Sequence, residues 1–378
     1  MTFALPMLML QGARVASTPE VDTLIADDAP VAIGVSGGKD SCAVAFATLE
    51  HLDAAGHAGP RVLIHADLGA TEWEDSLPTC ERLAATLGLG LIVVRRPQGD
   101  MMQRWEQRWR DNLARYQALS CVKLILPWST PEMRFCTAEL KVDQITRALC
   151  RRFPGRTILN VTGIRRQESS ERAKAPIAKA QPKLESKTHK TNGFNWHPIA
   201  DWKLEDVFGR LAAEGFPLHE AYTVYGASRV SCVWCILATQ GDHEAGARAA
   251  ANFPLASRMA ALEVSSTFGF QGTRWLGDTV RHVLPDELRD ALAGAKERAG
   301  RRQRAEARIP KHLLYVKGWP TCLPTHDEAT LLAAVRFAVA DAVGFPPTFV
   351  SPDAIIGRYQ QLLDAKAARA KGKGRRRL

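Results

Sequence analysis

Short apolar runs alternate with segments of helical periodicity in the first half of the chain. Val31–Val35 is apolar and β-branched, and after a Gly-Gly turn it leads into Cys42–Leu52, where apolar residues recur at helical spacing. Ser76–Leu87 is also helical in pattern, and three further runs have the strand pattern: Arg61–Ala66, Leu91–Val94 and Thr157–Val161. Short strands separated by helices predict an α/β fold with an open, mostly parallel sheet and helices on both faces.

The ends of these strands predict where a ligand binds. Ser36, Asp67 and Gly163 each lie just past a predicted strand. Ligands of open parallel sheets bind outside the carboxyl ends of the strands. We therefore expect these three residues to share one edge of the sheet.

The length of the chain predicts more than one domain, because single cores stop growing near ~250–300 residues and this chain has 378. Residues 1–239 hold all the predicted strands. Within them, residues 173–193 carry five lysines and few large apolar residues, which predicts a mobile basic loop. Residues 240–365 are predicted to form a smaller helical domain, with breaks at Pro254, Pro285, Pro310 and Pro346. Residues 366–378 contain seven basic residues and no acidic one, and we expect a basic tail.

Charge and cysteine content narrow the functional classes. The chain has 50 basic and 40 acidic side chains, a net charge of +10 and a pI near 9.3, which suits a polyanionic partner or an anionic substrate.

Residues 1–11 are apolar but lack a basic segment and a cleavage site, so we expect them to belong to the fold. No run approaches the ~18 apolar residues of a membrane helix. Eight cysteines without a secretory signal predict a cytoplasmic protein whose thiols serve a metal or catalysis.

The segment Ser36–Ser41 predicts a phosphate cradle. It lies between a predicted strand and a helix, where backbone N–H groups and the helix dipole favour an anion. Gly37 and Gly38 let the backbone approach phosphate closely, Lys39 adds a positive charge, and the two serines can donate hydrogen bonds. The spacing is not that of a Walker A motif, because Asp40 stands where Ser or Thr is required. An ordinary Gly-rich turn is the alternative.

Ser-Gly-Gly-Lys-Asp-Ser after a strand resembles the PP-loop signature of enzymes that cleave ATP between its α and β phosphates and adenylate a substrate. Asp67-Leu68-Gly69 is similar to the Asp-x-Gly segment of the phosphoadenosine phosphosulfate (PAPS) reductase branch. Residues 163–172 resemble that branch's Gly-x-Arg-x-x-Glu-Ser-x-x-Arg block. The resemblance extends from about Val31 to Thr239 and leaves the C-terminal third uncovered.

The resemblance implies the following site. ATP with Mg²⁺ binds at Ser36, Gly37, Gly38, Lys39, Asp40, Ser41, Asp67, Gly163, Arg165 and Arg172. Lys39, Asp40 and Arg165 are the expected catalytic residues. Asp67 is expected to bind the ribose, a magnesium ion or the adenine of the nucleotide. The alternative is that Asp67 is a simple turn residue. The arginine forks suit phosphate or sulfate, and a basic surface helix is the alternative.

Three cysteines resemble the motifs that hold a [4Fe–4S] cluster in many members of this family: Cys136, Cys232 and Cys235. The reductases carry a Cys-Cys pair at the first position, and here Thr137 replaces the second cysteine. Three ligands would leave one iron open, as in sulfur-inserting PP-loop enzymes. A fourth ligand from Cys322 or Cys121, a Cys₃His zinc site completed by His243, and free thiols are the alternatives.

The reductases also need a Glu-Cys-Gly motif near the C-terminus, which this sequence lacks. We therefore expect an ATP pyrophosphatase that adenylates a substrate, nucleic acid in the leading hypothesis, and works with a sulfur donor or thiol reductant protein. A PAPS reductase that releases sulfite is the alternative. A non-enzymatic nucleic-acid-binding module is the third. Cys42, Cys80 and Cys150 lie on predicted helices and are expected to be buried.

Overall fold

The computed structural model describes residues 13–374. Residues 1–12 and 375–378 lie outside the described residues, and with them the apolar start and the last four positions of the expected basic tail. The strands are β1 (Val31–Val35), β2 (Arg61–Asp67), β3 (Leu91–Arg95), β4 (Thr157–Val161), β5 (Ala178–Ala180) and β6 (Asn192–Trp196). The helices are α1 (Pro19–Ala26), α2 (Lys39–Ala54), α3 (Ser76–Leu87), α4 (Met101–Gln117), α5 (Asp143–Arg152), α6 (Ser170–Ala173), α7 (Leu204–Ala213), α8 (Glu220–Thr223), α9 (Gln240–Gly246), α10 (Phe253–Ser266), α11 (Leu276–Thr279), α12 (Asp286–Ala307), α13 (His326–Val343) and α14 (Pro352–Gly374).

The six strands form one sheet in the order β3-β2-β1-β4-β6-β5. All neighbours are parallel except β5 and β6, which are antiparallel. The strands that follow β1 first extend the sheet to one side, through β2 and β3, and β4 then pairs with β1 on the other side. This reversal creates a topological switch point between β1 and β4, where open sheets bind ligands.

Alternate residues of β1 face two different cores. Val31, Ile33 and Val35 pack with α2, α3 and α7 on one face. Ala32 packs with α5 on the opposite face. Because both faces are covered, β1 is apolar throughout rather than alternating. The predicted α/β fold with helices on both faces is confirmed.

The predicted mobile loop at 173–193 is corrected by the structure. Its residues 178–180 form β5, which pairs with β6 through backbone hydrogen bonds that do not depend on apolar side chains. Leu184 is fully buried. An added Cβ on Gly193 would lie 2.3 Å from Leu184 Cδ1, so glycine makes room for this side chain. The lysines of this segment are exposed, and Lys179 lies in the edge strand β5, where a charged side chain discourages pairing with another strand.

The chain forms two compact units whose limits differ from the predicted division at 239/240. Unit 1 is Met1–Met101 and Pro131–Asn252, and unit 2 is Met102–Thr130 and Phe253–Leu378. Aromatic packing explains why 102–130 belongs to unit 2. The Trp105 ring lies 5.4 Å from the Trp128 ring and 5.7 Å from the Phe270 ring, so this segment completes the core of the helices that follow.

Unit 2 is helical, as predicted: α10 begins beside Pro254 and α12 beside Pro285, whereas α13 begins after the cap residue Thr325, which was not predicted. The described part of the expected basic tail is not a separate segment, because residues 366–374 form the end of α14.

Between residues 13 and 374, no helix combines the length and the apolar character required to span a bilayer.

Candidate nucleotide site and cysteine group

The switch point of the sheet is formed by Ser36 after β1 and Gly163 after β4. The two strands are hydrogen-bonded neighbours. A Cβ added to Gly163 would lie 2.6 Å from the carbonyl oxygen of Asp40. Only glycine therefore lets the segment after β4 pass this close to the first turn of α2. The prediction that Ser36 and Gly163 share one edge of the sheet holds in the structure.

The segment Ser36–Ser41 is a closed loop that ends in a helix N-terminus. Gly37 has φ +75°, and a Cβ there would lie 2.9 Å from the Ser76 carbonyl oxygen. The Ser36 amide donates to Ser41 Oγ at 3.1 Å, and Ser41 Oγ donates to the Gly38 carbonyl oxygen at 2.8 Å. Gly38 caps α2 without a side-chain hydrogen bond. The helix itself therefore leaves the amides of Asp40 and Ser41 for an external acceptor.

Tyr222 holds the opposite side of this cradle. Its hydroxyl accepts from the amide of Lys39 at 3.2 Å and from the amide of Val230 at 3.1 Å. Lys39 Nζ lies 5.2 Å from the centre of the Tyr222 ring and 3.4 Å from the Ser228 carbonyl oxygen. The cradle is thus tied to the segment that leads into the C-x-x-C motif. Local sequence patterns did not predict a role for Tyr222 at this site.

His219 is a second residue of the cradle wall that the sequence did not identify. Burial lowers the pKa of His219 to about 4, although the Asp75 carboxylate opposes the shift. Nδ1 accepts from the Ala221 amide at 2.9 Å, so the neutral ring carries its proton on Nε2, 3.3 Å from Ser76 Oγ. His219 therefore shapes the wall beside Gly37 without adding charge to it.

The three predicted catalytic residues are together in the structure. The Asp40 carboxylate lies between Lys39 Nζ at 3.4 Å and Arg165 Nε at 2.5 Å. Arg165 is buried and also donates to Gln167 Oε1 at 2.9 Å. Two cations around one carboxylate leave a net positive charge at the first turn of α2, which suits a polyphosphate.

Arg172 and Asp67 occupy different surroundings. Arg172 forms an ion pair with Glu168, whose carboxylate also accepts from the Arg165 amide at 3.0 Å. Asp67 ends β2, where Oδ1 accepts from the Gly69 amide at 2.7 Å and Oδ2 lies 2.5 Å from Arg95 Nη2. Both oxygens of Asp67 are engaged, which favours the turn role, and a nucleotide contact by Asp67 stays a prediction.

The cysteines of the two motifs lie near one another. Burial raises the pKa of Cys232 to about 12, with Cys235, Glu72 and Cys136 adding to the shift and Lys141 opposing it. Cys136 begins a π-helical segment, Cys136–Val142, a form that is frequent at functional sites. Within the described part of the chain, however, no three His, Cys, Asp or Glu side chains are arranged closely enough to hold a metal ion.

The C-x-x-C loop is fixed by its backbone and its neighbours. The Val233 amide donates to the Thr71 carbonyl oxygen at 2.9 Å, and Trp234 Nε1 donates to the His243 carbonyl oxygen at 3.0 Å. His243 Nε2 donates to the Cys235 carbonyl oxygen at 2.9 Å. This hydrogen bond orients the ring with the lone pair on Nδ1, which is the usual arrangement of a metal-ligating histidine, so it does not argue against the Cys₃His zinc alternative.

The other cysteines separate into two groups. Cys42, Cys80 and Cys150 are buried in the cores of unit 1, as predicted. Cys121 is buried in unit 2, and the Cys322 thiol donates to the His312 carbonyl oxygen at 3.6 Å in the same unit.

Residues 30–238 match the phosphoadenosine phosphosulfate reductase domain. The match covers more than half of the 378 residues and includes the cradle, the Arg165 block and the three motif cysteines. No curated protein shows significant similarity to the sequence.

Solved structures with some likeness to the chain are distant. A PAPS reductase from Candida auris in complex with phosphate is 14% identical over 58% of this chain and 98% of its own, with a TM-score of 0.35. The U34-tRNA thiolase NcsA from Methanococcus maripaludis with its [4Fe-4S] cluster is 12% identical over 70% and 77%, with a TM-score of 0.34. An FMN adenylyltransferase from Candida glabrata, in complex with FMN and an ATP analog, is 15% identical over 54% and 55%, with a TM-score of 0.31.

Proposed function

This chain belongs to the phosphoadenosine phosphosulfate reductase domain family, and we propose that it is a PP-loop enzyme that binds ATP, cleaves it to AMP and pyrophosphate, and adenylates a substrate for sulfur transfer. The observation that carries the proposal is the cradle at the switch point. It combines unpaired helix amides, the buried Lys39 and the Asp40–Arg165 pair at one place. Magnesium would arrive with the phosphates, since Mg²⁺ is commonly held through substrate phosphates.

The proposed reaction has two steps. A nucleophilic oxygen of the substrate attacks the α-phosphorus of ATP, and the bond to the bridging oxygen breaks so that pyrophosphate leaves with the electron pair. A sulfur nucleophile from the donor then replaces the adenylated oxygen, and AMP leaves. Lys39 and the amides of Asp40 and Ser41 stabilise the charge on the departing pyrophosphate. Arg165 holds Asp40, and through it the first turn of α2, in position.

We further infer that Cys136, Cys232 and Cys235 bind a [4Fe–4S] cluster, with zinc as the alternative. The donor set suits either metal centre, and the Cys235 and Cys136 thiols lie close enough to Cys232 to add to the rise in its pKa. The fit is incomplete, because the side chains do not form a ready set of three ligands. A bound cluster would supply an iron that can carry sulfur, and no step of the proposed reaction depends on it.

PAPS reduction is the second candidate, and the family membership favours it. That reaction needs a thiol that attacks the sulfonucleotide. Cys322 is a partly exposed thiol of unit 2, but its Thr-Cys-Leu-Pro setting does not match the Glu-Cys-Gly motif. A separate thiol protein would then have to act as reductant.

Lys39 is expected to contribute directly to ATP affinity. Replacing it by alanine or methionine removes a charge-assisted contact, which costs roughly 1.5–3 kcal/mol, or about one to two decades of affinity. Lys39→Met keeps the buried aliphatic stem and so separates charge from packing. Calorimetric titration with ATP and Mg²⁺ measures the effect. Lys187, which is exposed and forms no ion pair in the described region, provides the control, and equal affinity of Lys39→Met and Lys187→Met would refute the cradle.

The products of turnover decide between the two reactions. With ATP, Mg²⁺ and the correct acceptor, the protein is expected to release AMP and pyrophosphate in equal amounts, measurable by ion-exchange chromatography. ADP and phosphate would contradict the proposal. Sulfite release from PAPS in the presence of a thiol reductant would instead establish the reductase reaction.

A further inference from the structure

The net positive charge of the protein lies in unit 2. Unit 2 holds 26 of the 50 lysines and arginines but only 14 of the 40 acidic residues, a net charge of +12. Unit 1 holds the other 24 basic and 26 acidic residues, a net charge of −2. Without the three arginines at 375–377, which lie outside the described residues, unit 2 is still at +9. The cradle at Ser36–Ser41 belongs to unit 1, so the excess of cations lies in the other unit.

Some cations of unit 2 have structural roles. Arg302 is buried against Glu306, with its Nη1 2.8 Å from the carboxylate. Arg336 donates to the Tyr116 carbonyl oxygen at 2.8 Å, and Arg358 donates to the Ala118 carbonyl oxygen at 3.0 Å. These two arginines satisfy carbonyl groups at the C-terminal end of α4, where cations are favourable.

Other cations of unit 2 are exposed and have no acidic partner. The segment 304–317 contains Arg304, Arg308, Lys311 and Lys317, which we call the basic segment. All four are exposed and none forms an ion pair within residues 13–374. The only acidic residue between positions 304 and 317 is Glu306, which is buried and paired with Arg302. Arg304 and Arg308 are four residues apart near the end of α12 and so lie on one face.

The basic residues of unit 2 are of a type that favours phosphate groups. Nineteen of the 26 basic residues of unit 2 are arginines, whose planar fork matches phosphate oxygens. An anionic membrane is a poorer partner, because helices that lie on membranes pair their cations with large exposed apolar side chains. Along α12 no large apolar side chain is exposed in the described structure, and within the basic segment Val316 is the single exposed one.

We propose that unit 2 is the nucleic-acid-binding part of the protein and that the basic segment contacts the phosphate backbone. The identification of that nucleic acid as the substrate rests on the function proposed above, whereas the binding itself does not. Phosphate contacts position a nucleic acid without reading its sequence. The segment is therefore expected to bind single-stranded and duplex molecules of unrelated sequence.

The test is the salt dependence of binding by the full chain. Fluorescence anisotropy with a labelled 20-nucleotide single strand and the matching duplex is measured from 50 to 300 mM salt, without ATP. Arg304→Glu with Arg308→Glu is expected to weaken binding about tenfold at low salt and to lower the slope by about 2 for the duplex, since each phosphate contact contributes about 0.9.

A matched control is available on α5 of unit 1. Arg147 and Arg151 are also exposed, unpaired in the described structure, four residues apart and near the end of a helix. Arg147→Glu with Arg151→Glu changes the net charge equally and is expected to leave affinity and slope unchanged. Equal effects of the two double variants, or tighter binding of the wild type to phosphatidylserine vesicles than to nucleic acid, would overturn the proposal.

ATP binding separates this proposal from the proposed function. The Arg304/Arg308 variant is expected to bind ATP like the wild type, because the cradle is not changed. Normal nucleic-acid binding without formation of AMP and pyrophosphate would contradict the proposed function and leave the role of unit 2 intact. Product formation with a small-molecule acceptor, together with no nucleic-acid binding, would contradict the role of unit 2 and leave the proposed function intact.

Discussion

Replacing Arg165 by alanine is expected to lower the free energy of unfolding of unit 1 by up to about 3–5 kcal/mol, the cost of removing one partner from a fully buried ion pair. The Arg165 side chain is 5% exposed and the Asp40 side chain 20%. Without the guanidinium, the Asp40 carboxylate keeps only Lys39 at 3.4 Å. Urea denaturation followed by circular dichroism measures the loss.

The adjacent arginine gives the control for this experiment. Arg166 forms an ion pair with Asp201, but these side chains are 34% and 57% exposed, and exposed pairs contribute only about 0–1 kcal/mol. Arg166→Ala should therefore change stability little. Arg165→Lys, which keeps the charge but loses the fork, should lie between the two. If Arg165→Ala and Arg166→Ala are equally stable, the Asp40–Arg165 pair does not hold the first turn of α2.

Local sequence patterns were sufficient for the elements that end at the site. The predicted limits of Val31–Val35, Ser76–Leu87 and Thr157–Val161 coincide with β1, α3 and β4, because each element combines a clear periodicity with turn residues at its ends. Ser36 and Gly163 could therefore be placed on one edge before any contact was known.

Long-range contacts explain what the sequence could not predict. The Tyr222 hydroxyl meets the Lys39 amide across 183 positions, and the Trp128 indole donates to the Phe268 carbonyl oxygen across 140 positions. No local pattern encodes such pairings, so the cradle wall and the assignment of 102–130 to unit 2 were missed. The edge strand β5 was missed for a different reason, because lysine-rich composition hides a strand whose pairing depends on its backbone.

The prediction of a cysteine centre depends on a local motif and on a long-range contact. The C-x-x-C spacing is local, but the closeness of Cys136 to Cys232 joins positions 96 residues apart within the family domain. The geometry of the three thiols does not by itself establish a metal centre. Metal binding would require the thiols to lose their protons, which is unfavourable for Cys232 without a metal because its pKa is raised. Metal analysis is therefore the direct test.

Substitution of any one of Cys136, Cys232 and Cys235 by serine is expected to remove most of the bound iron, because each supplies one of three protein ligands. Anaerobically purified wild type should be brown, with about four irons and four sulfides per chain in a [4Fe–4S] cluster. A colourless protein with about one zinc would identify the structural alternative. Iron, sulfide and zinc are measured by elemental and colorimetric analysis, together with the visible absorption spectrum.

Two further cysteine substitutions serve as controls for the metal analysis. Cys42→Ala changes a thiol buried in the core of unit 1 and should leave the metal content unchanged. Cys322→Ser removes a thiol of unit 2 that sequence analysis proposed as a fourth ligand, so an unchanged iron content in this variant excludes Cys322 from the site. Iron that survives all three motif substitutions would contradict the proposed cysteine centre. The proposed nucleotide site would be unaffected by that result, because Lys39, Asp40 and Arg165 are held together by ion pairs and hydrogen bonds that involve none of these thiols.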